Sequence, residues 1–192
     1  MTVENFISRR PSVPSANLLT RLRLATQNDH HNLDETISKI NLLDLQGYVT
    51  FLCIHHHALE NLMPHSRPED QADFESMARC ARNDLAILGE APTSLPAARI
   101  VRQPNLHGLG VAYVIRGSRL GARFIRAKIP DGFPVSYLSF APALSWSDFL
   151  KQLQAFSDRN CPLRDESVLK SATAAFAVFD HLAKYCTTGL NR

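Results

Sequence analysis

The residues best suited to chemistry begin at Leu22-Arg23-Leu24-Ala25-Thr26-Gln27-Asn28-Asp29-His30. On a helix, His30 falls one turn after Thr26 and two turns before Ile37, so its imidazole shares a stripe with apolar neighbours. A neutral imidazole in an apolar pocket is the usual way a helix offers a ligand to haem iron. Arg23 lies two turns earlier on nearly the same face, about 10 Å away along the axis at ~1.5 Å per residue. That reach suits an iron ligand and a haem propionate, and a guanidinium matches a carboxylate. Asp34, one turn after His30, can accept from the imidazole directly or through water and so orient it. A core-facing histidine beside two solvated charges has the same spacing. His31, rotated about 100° round the helix, cannot face the same iron as His30.

A second constellation runs Tyr113-Val114-Ile115-Arg116-Gly117-Ser118-Arg119-Leu120-Gly121-Ala122. Glycine inside a helix costs about 1 kcal/mol relative to alanine, and here two stand at i and i+4. They remove side chains from one stripe, which Tyr113 continues one turn earlier. A bare stripe lets a flat ligand approach the backbone and lets the helix bend. Close helix–helix packing uses small residues equally well, and both readings stand on spacing alone. The run His55-His56-His57 with Glu60 suggests a metal site, but consecutive helical residues fan apart by about 100° and are not expected to converge on one ion. The Glu-x-x-His pairs of a di-iron bundle are absent. His55 is expected to be partly buried, with His56 and His57 at the surface. No nucleophile elbow, phosphate loop or zincin motif occurs, and no cysteine has a nucleophile context.

These segments require helices to carry them. Asn17 is placed to cap a helix to about Lys39, with Leu18, Leu22, Ala25, Leu33 and Ile37 inward. Asp44 caps a second, carrying Tyr48, Leu52, His55, Leu59 and Leu62, which Pro64 stops. A third starts at Pro68 with Glu69 and Asp70 in its first turn and ends at Gly89. A Pro-rich link (Pro92, Pro96) follows, then a helix over about Leu109 to Lys128. Residues 130–144 hold three prolines and are expected to be irregular. Ser145-Trp146-Ser147-Asp148 opens a helix carrying Phe149, Leu150, Leu153 and Phe156. A last helix covers Asp165 to Cys186, with Ala172, Ala175, Phe176, Phe179 and Leu182 inward. The class is all-α: one domain over 17–192 after a flexible segment, 1–16.

Composition narrows the function classes. A chain of 192 residues, 45% hydrophobic, supports one well-buried domain. The net charge of +3 is small and no Lys/Arg block occurs, which argues against a nucleic-acid partner. The surplus suits a local cationic patch for an acidic ligand. Four scattered cysteines without a C-x-x-C pair predict buried or partly buried thiols in a reducing compartment. No signal-peptide pattern and no run of ~18 apolar residues occurs, so a soluble, cytoplasmic protein without a membrane partner is expected.

The ordered set of segments resembles the haem oxygenase family, especially its bacterial, biliverdin-producing members, including those that accompany bacterial phytochromes. The matching pieces are Leu22 to Thr26 through His30 with Leu33-Asp34, Tyr48 to Glu60, Asp84 to Gly89, Gly110 through Ala122, Trp146 to Phe149, and Ala175 to Phe179. The resemblance implies a helical bundle that sandwiches haem between a proximal helix and a kinked distal helix. It selects His30 over His31 as the proximal iron ligand, sets Gly117, Ser118 and Gly121 on the distal face, and gives Arg23 to the propionates. Tyr113 extends that distal wall. The implied activity is cleavage of haem by O2 and electrons to biliverdin, CO and iron, with haem both cofactor and substrate. A ferredoxin or flavin reductase would supply the electrons, and a phytochrome could receive the biliverdin. The bare stripe fits this chemistry, because a distal acid–base pair would favour O–O scission over attack on the ring. A proximal imidazole free of a strong carboxylate bond points the same way. Ala122 stands where many relatives have Gly, as in certain bacterial members, and Arg116 replaces an acidic residue common in the phytochrome-associated group. The competing readings are a non-catalytic haem carrier or sensor and, more distantly, a helical enzyme acting on another small molecule.

Overall fold

Helix boundaries follow from short polar caps. Asn17 Oδ1 accepts from Thr20 N at 2.9 Å, and Asp44 Oδ1 accepts from Gly47 N at 2.7 Å. Gly89, at φ +79°, closes a Schellman pair in which Glu90 N donates to the Leu85 carbonyl and Gly89 N to the Ala86 carbonyl. The computed structural model describes residues 17–91, 105–157 and 162–188. Those residues form α1 (Leu18–Ser38), α2 (Leu45–Leu62), a 3-10 turn (Met63–His65), α3 (Pro68–Ile87), α4 (Gly108–Arg126), α5 (Ser136–Ser139), α6 (Trp146–Ser157) and α7 (Pro162–Thr188). No strand occurs among the described residues, as the all-α reading requires. The 1–16 segment, the Pro92/Pro96 link and Cys161 lie outside them. No helix among the described residues is long and apolar enough to cross a membrane.

Three expectations need correction. Residues 130–144 are not wholly irregular, because α5 forms within them. Its first turn is capped from a distance: the buried Asp84 carboxylate on α3 accepts from Ser136 N at 3.1 Å and Tyr137 N at 2.8 Å. No local spacing reveals a cap fifty residues away. Ala25 is exposed and Thr26 takes the inward position on α1, its hydroxyl returned to the Leu22 carbonyl at 2.8 Å. His56 and His57 are buried, at 2% and 6% exposure, because α3 covers the face of α2 that was expected to meet solvent.

The long helix α7 is the shared support, packing on α1, α2 and α4. Gly110 permits the α4–α7 approach: a Cβ there would lie 2.4 Å from the Val168 carbonyl oxygen and 2.8 Å from Ala172 N. The other side of α4 is held by ions. Arg116, only 3% exposed, donates from Nε to Asp70 Oδ1 at 2.8 Å, from Nη2 to Asp73 Oδ2 at 2.9 Å and from Nη1 to the Leu144 carbonyl at 2.8 Å. Arg67 closes a second fork on Asp70, and Ala143 N donates to Asp73 Oδ1 at 3.0 Å. Asp70 therefore does more than complement a helix dipole; it joins α3 to α4. Removing one partner of such a network leaves uncompensated buried charge. Arg116→Leu should lower the unfolding free energy by about 3–5 kcal/mol in urea denaturation. A loss near zero would show that the network does not hold α4.

Candidate functional site

Helices α1 and α4 both lean on α7 but barely touch each other, and a cavity of about 390 Å3 opens between them. That volume lies in the range of small-molecule sites. From α1 it is lined by Arg23, His30, Leu33, Asp34 and Ile37; from α4 by Tyr113, Val114, Gly117, Ser118, Leu120, Gly121 and Ile125. Phe51 and His55 of α2, Trp146 of α6, and Phe176 and Phe179 of α7 complete the lining. The six residues singled out from sequence, Arg23, His30, Tyr113, Gly117, Ser118 and Gly121, thus meet at one cavity.

On the α1 wall, His30 is not a core residue; its side chain is 63% exposed and its ring meets Phe176 edge-on at 5.7 Å between centroids. Its Nδ1 lies 2.9 Å from Asp34 Oδ2, which leaves Nε2 as the nitrogen free for a ligand. The carboxylate contact is direct, one of the two arrangements open to Asp34 from its spacing, whereas the resemblance implied an imidazole free of a strong carboxylate bond. Asp34 is itself 68% exposed, so water screens its push on the ring. Among the described residues no carboxylate pairs with Arg23, which lines the same cavity.

On the α4 wall the glycines differ in their surroundings. A Cβ on Gly121 would meet nothing within 4 Å, and one on Gly117 would touch only the Trp146 ring at 3.8 Å. Gly110, about two turns earlier on nearly the same stripe, is the glycine that close packing requires. The helix continues unbroken through both open glycines. Ser118 Oγ is turned back to the Ile115 carbonyl at 2.7 Å, so its proton is used within the helix. Tyr113 rests against Trp146 with ring centroids 6.0 Å apart.

His55 is the polar group that the sequence did not assign to a site, although it lies one turn from Phe51 on the same stripe. Tyr137 Oη and His55 Nδ1 are 2.8 Å apart, and Phe51 and Phe179 enclose the ring. Burial, and then the Arg119 charge, push the His55 pKa down to about 3, so the ring is neutral at physiological pH. Burial raises the Tyr137 hydroxyl to about 12. Both groups are therefore neutral, and one hydrogen bond joins Oη to Nδ1; with the phenol as its donor, the single His55 ring proton sits on Nε2. Arg119 stacks 5.0 Å above the Tyr137 ring and donates to the Tyr137 and Leu138 carbonyls at 2.9 Å, which locks this arrangement.

A further correction concerns His56, His57 and Glu60, whose ligand atoms all lie within 4.8 Å of one another. Consecutive histidines do fan apart, but Glu60 falls between them on the helical wheel, about 40° from His56 and 60° from His57, and bridges the gap.

Among the solved structures that share this arrangement of helices is a haem oxygenase from Neisseria meningitidis, described with NO and CO bound. The two superpose with a TM-score of 0.65 at 19% identity, over 91% of this chain and 94% of that one. The chain has the haem oxygenase fold. No protein-family model matches the sequence, and no curated protein matches it. At this identity the likeness carries the fold, and residue roles within the haem oxygenase fold rest on this chain's own geometry.

That geometry separates packing from open glycines in a measurable way. Gly110→Ala should cost about 1–3 kcal/mol by overpacking. Gly121→Ala should stabilise by up to about 1 kcal/mol through helix propensity alone. Thermal melts of both variants check this, and equal losses would contradict the open wall at Gly121.

Proposed function

We propose that this chain binds haem in the α1–α4 cavity and cleaves it oxidatively to biliverdin, CO and iron. The observation that carries the proposal is the pairing of walls: an imidazole with a free Nε2 on α1 and helix stripped of side chains at Gly117 and Gly121 on α4. Haem, when bound, supplies the iron that activates O2 and the ring that is oxidised.

The chain's own residues do the rest. His30 ligates through Nε2 while Asp34 holds Nδ1 and so fixes the ring's orientation. Arg23, without a carboxylate partner among the described residues, meets a propionate. Gly117 and Gly121 leave room for O2 and ordered water beside the backbone, and Tyr113 and Ser118 shape the edges of that space. No carboxylate of this wall lines the cavity. The neutral His55, held by Tyr137, offers an Nε2–H donor to whatever occupies the space and does not serve as a strong acid. A ferredoxin or flavin reductase is the proposed electron donor, and a phytochrome a candidate acceptor of biliverdin. A cytoplasmic site of action is proposed with that donor.

A haem carrier or sensor would use the same two walls, since a bare stripe admits a flat ring in either reading, and turnover is what separates the two. Haemin should give a Soret band with the purified protein, and adding reductant in air should convert it to biliverdin with release of CO. A stable ferrous or oxygenated spectrum without ring loss would favour the carrier. Gly121→Leu should still fold and should lose most of the biliverdin yield in a single turnover, because the new side chain fills the space beside the backbone. Unchanged biliverdin and CO from that variant would refute the role given to the α4 wall.

A further inference from the structure

The chain carries a second group of ligating side chains that the haem cavity does not use. We infer that His56, His57 and Glu60 form a binding site for a divalent transition-metal ion of the zinc type, on the side of α2 turned away from the cavity. On the helical wheel these residues centre about 150° from His55, which lines the cavity. They face α3, where Ala78 and Arg82 lie beside them.

Three observations support the site. The first is convergence: His56 Nε2 lies 3.2 Å from Glu60 Oε1, and His57 Nδ1 lies 3.6 Å from Glu60 Oε2. Ligand atoms around a tetrahedral ion with bonds of about 2.0–2.1 Å stand roughly 3.4 Å apart, so small rotations bring all three to one ion.

The second is an unresolved hydrogen-bond demand. His56 is buried between two acceptors, the Ala78 carbonyl 3.3 Å from Nδ1 and the Glu60 carboxylate 3.2 Å from Nε2. A neutral imidazole has one N–H for both. Donating Nδ1–H to Ala78 is the outer-sphere arrangement usual for a metal-bound histidine, and it turns the Nε2 lone pair towards the carboxylate. A cation seated between them removes that repulsion.

The third is His57, buried at 6% exposure with its Nδ1 turned to Glu60. Two buried histidines beside a half-exposed glutamate are costly without a ligand.

The donor set selects the ion. Two imidazoles and a carboxylate, without a thiolate, suit Zn2+, Co2+, Ni2+ or Fe2+ and not the oxygen-seeking Ca2+ or Mg2+. Three protein ligands leave a fourth position for water on the Glu60 side, which is 44% exposed. Arg82 Nη2, 3.7 Å from Glu60 Oε1 and itself largely exposed, competes for the same carboxylate and swings out when the ion enters.

Cobalt is a suitable probe because its visible d–d bands report coordination number. Titrating the haem-free full-length protein with Co2+ should give one equivalent of a four- or five-coordinate spectrum, displaced by Zn2+. Glu60→Ala, at an exposed position, should weaken Co2+ binding by about ten-fold or more while leaving haemin titration unchanged. His57→Gln should do the same, and if it fails to fold, Glu60→Ala decides the matter. Stoichiometric binding lost in Glu60→Ala supports the site. Absence of stoichiometric binding in the wild type, or undiminished binding in Glu60→Ala, overturns it.

Discussion

The placement of α4 rests on one buried guanidinium. Arg116 answers two carboxylates of α3 and the Leu144 carbonyl at once, and its removal would leave Asp73 without its ion pair and Asp70 with Arg67 alone. Attraction of this kind is geometrically demanding: a fork and its acceptors hold a helix in rotation as well as position. With Arg116 pinned to α3 and Gly110 pressed on α7, the rotation of α4 is set, and Gly117 and Gly121, about two and three turns further along nearly the same stripe, line the cavity. The open wall therefore continues, further along the helix, the stripe that Gly110 packs on α7.

The opposing wall obeys a different constraint. Helix α1 is anchored on α7 through Leu18, Leu22 and Thr26, while its second half turns Leu33 and Ile37 only partly inward and leaves His30 accessible. A ligand nitrogen that the core had buried would have no room for an iron plane. His30 instead sits at the rim with one nitrogen held by Asp34 and the other free. Beyond both walls, His55 and Tyr137 form a neutral hydrogen-bonded pair enclosed by aromatic rings, a donor that is insensitive to ordinary changes of pH.

Much of this was legible in the residues, and the remainder was hidden for physical reasons. Caps at Asn17, Asp44 and Ser145 and the stop at Gly89 are local events that involve neighbours three to five residues away, so the helices they bound could be read directly. Helical spacing grouped Arg23 with His30 and Tyr113 with Gly117 and Gly121, while their meeting at one cavity was implied only by the family resemblance. Helix α5 was missed because its cap comes from Asp84 on another helix. The burial of His56 and His57 was missed because polar residue type argued for solvent while α3 covers that face. Asp70 looked like a first-turn acid and became an interhelical tie, since periodicity carries no information about which charge lies opposite.

The central claim is that the free nitrogen of His30 is the ligand through which this cavity holds haem. The most direct test is the low-frequency resonance Raman spectrum of the ferrous haem complex, compared between wild type and His30→Ala, with and without added imidazole. Wild type should show an iron–histidine stretch, His30→Ala should lose it while keeping its helical content, and imidazole should restore an iron–nitrogen mode. The same stretch persisting in His30→Ala would contradict the assignment and place the ligand on another residue.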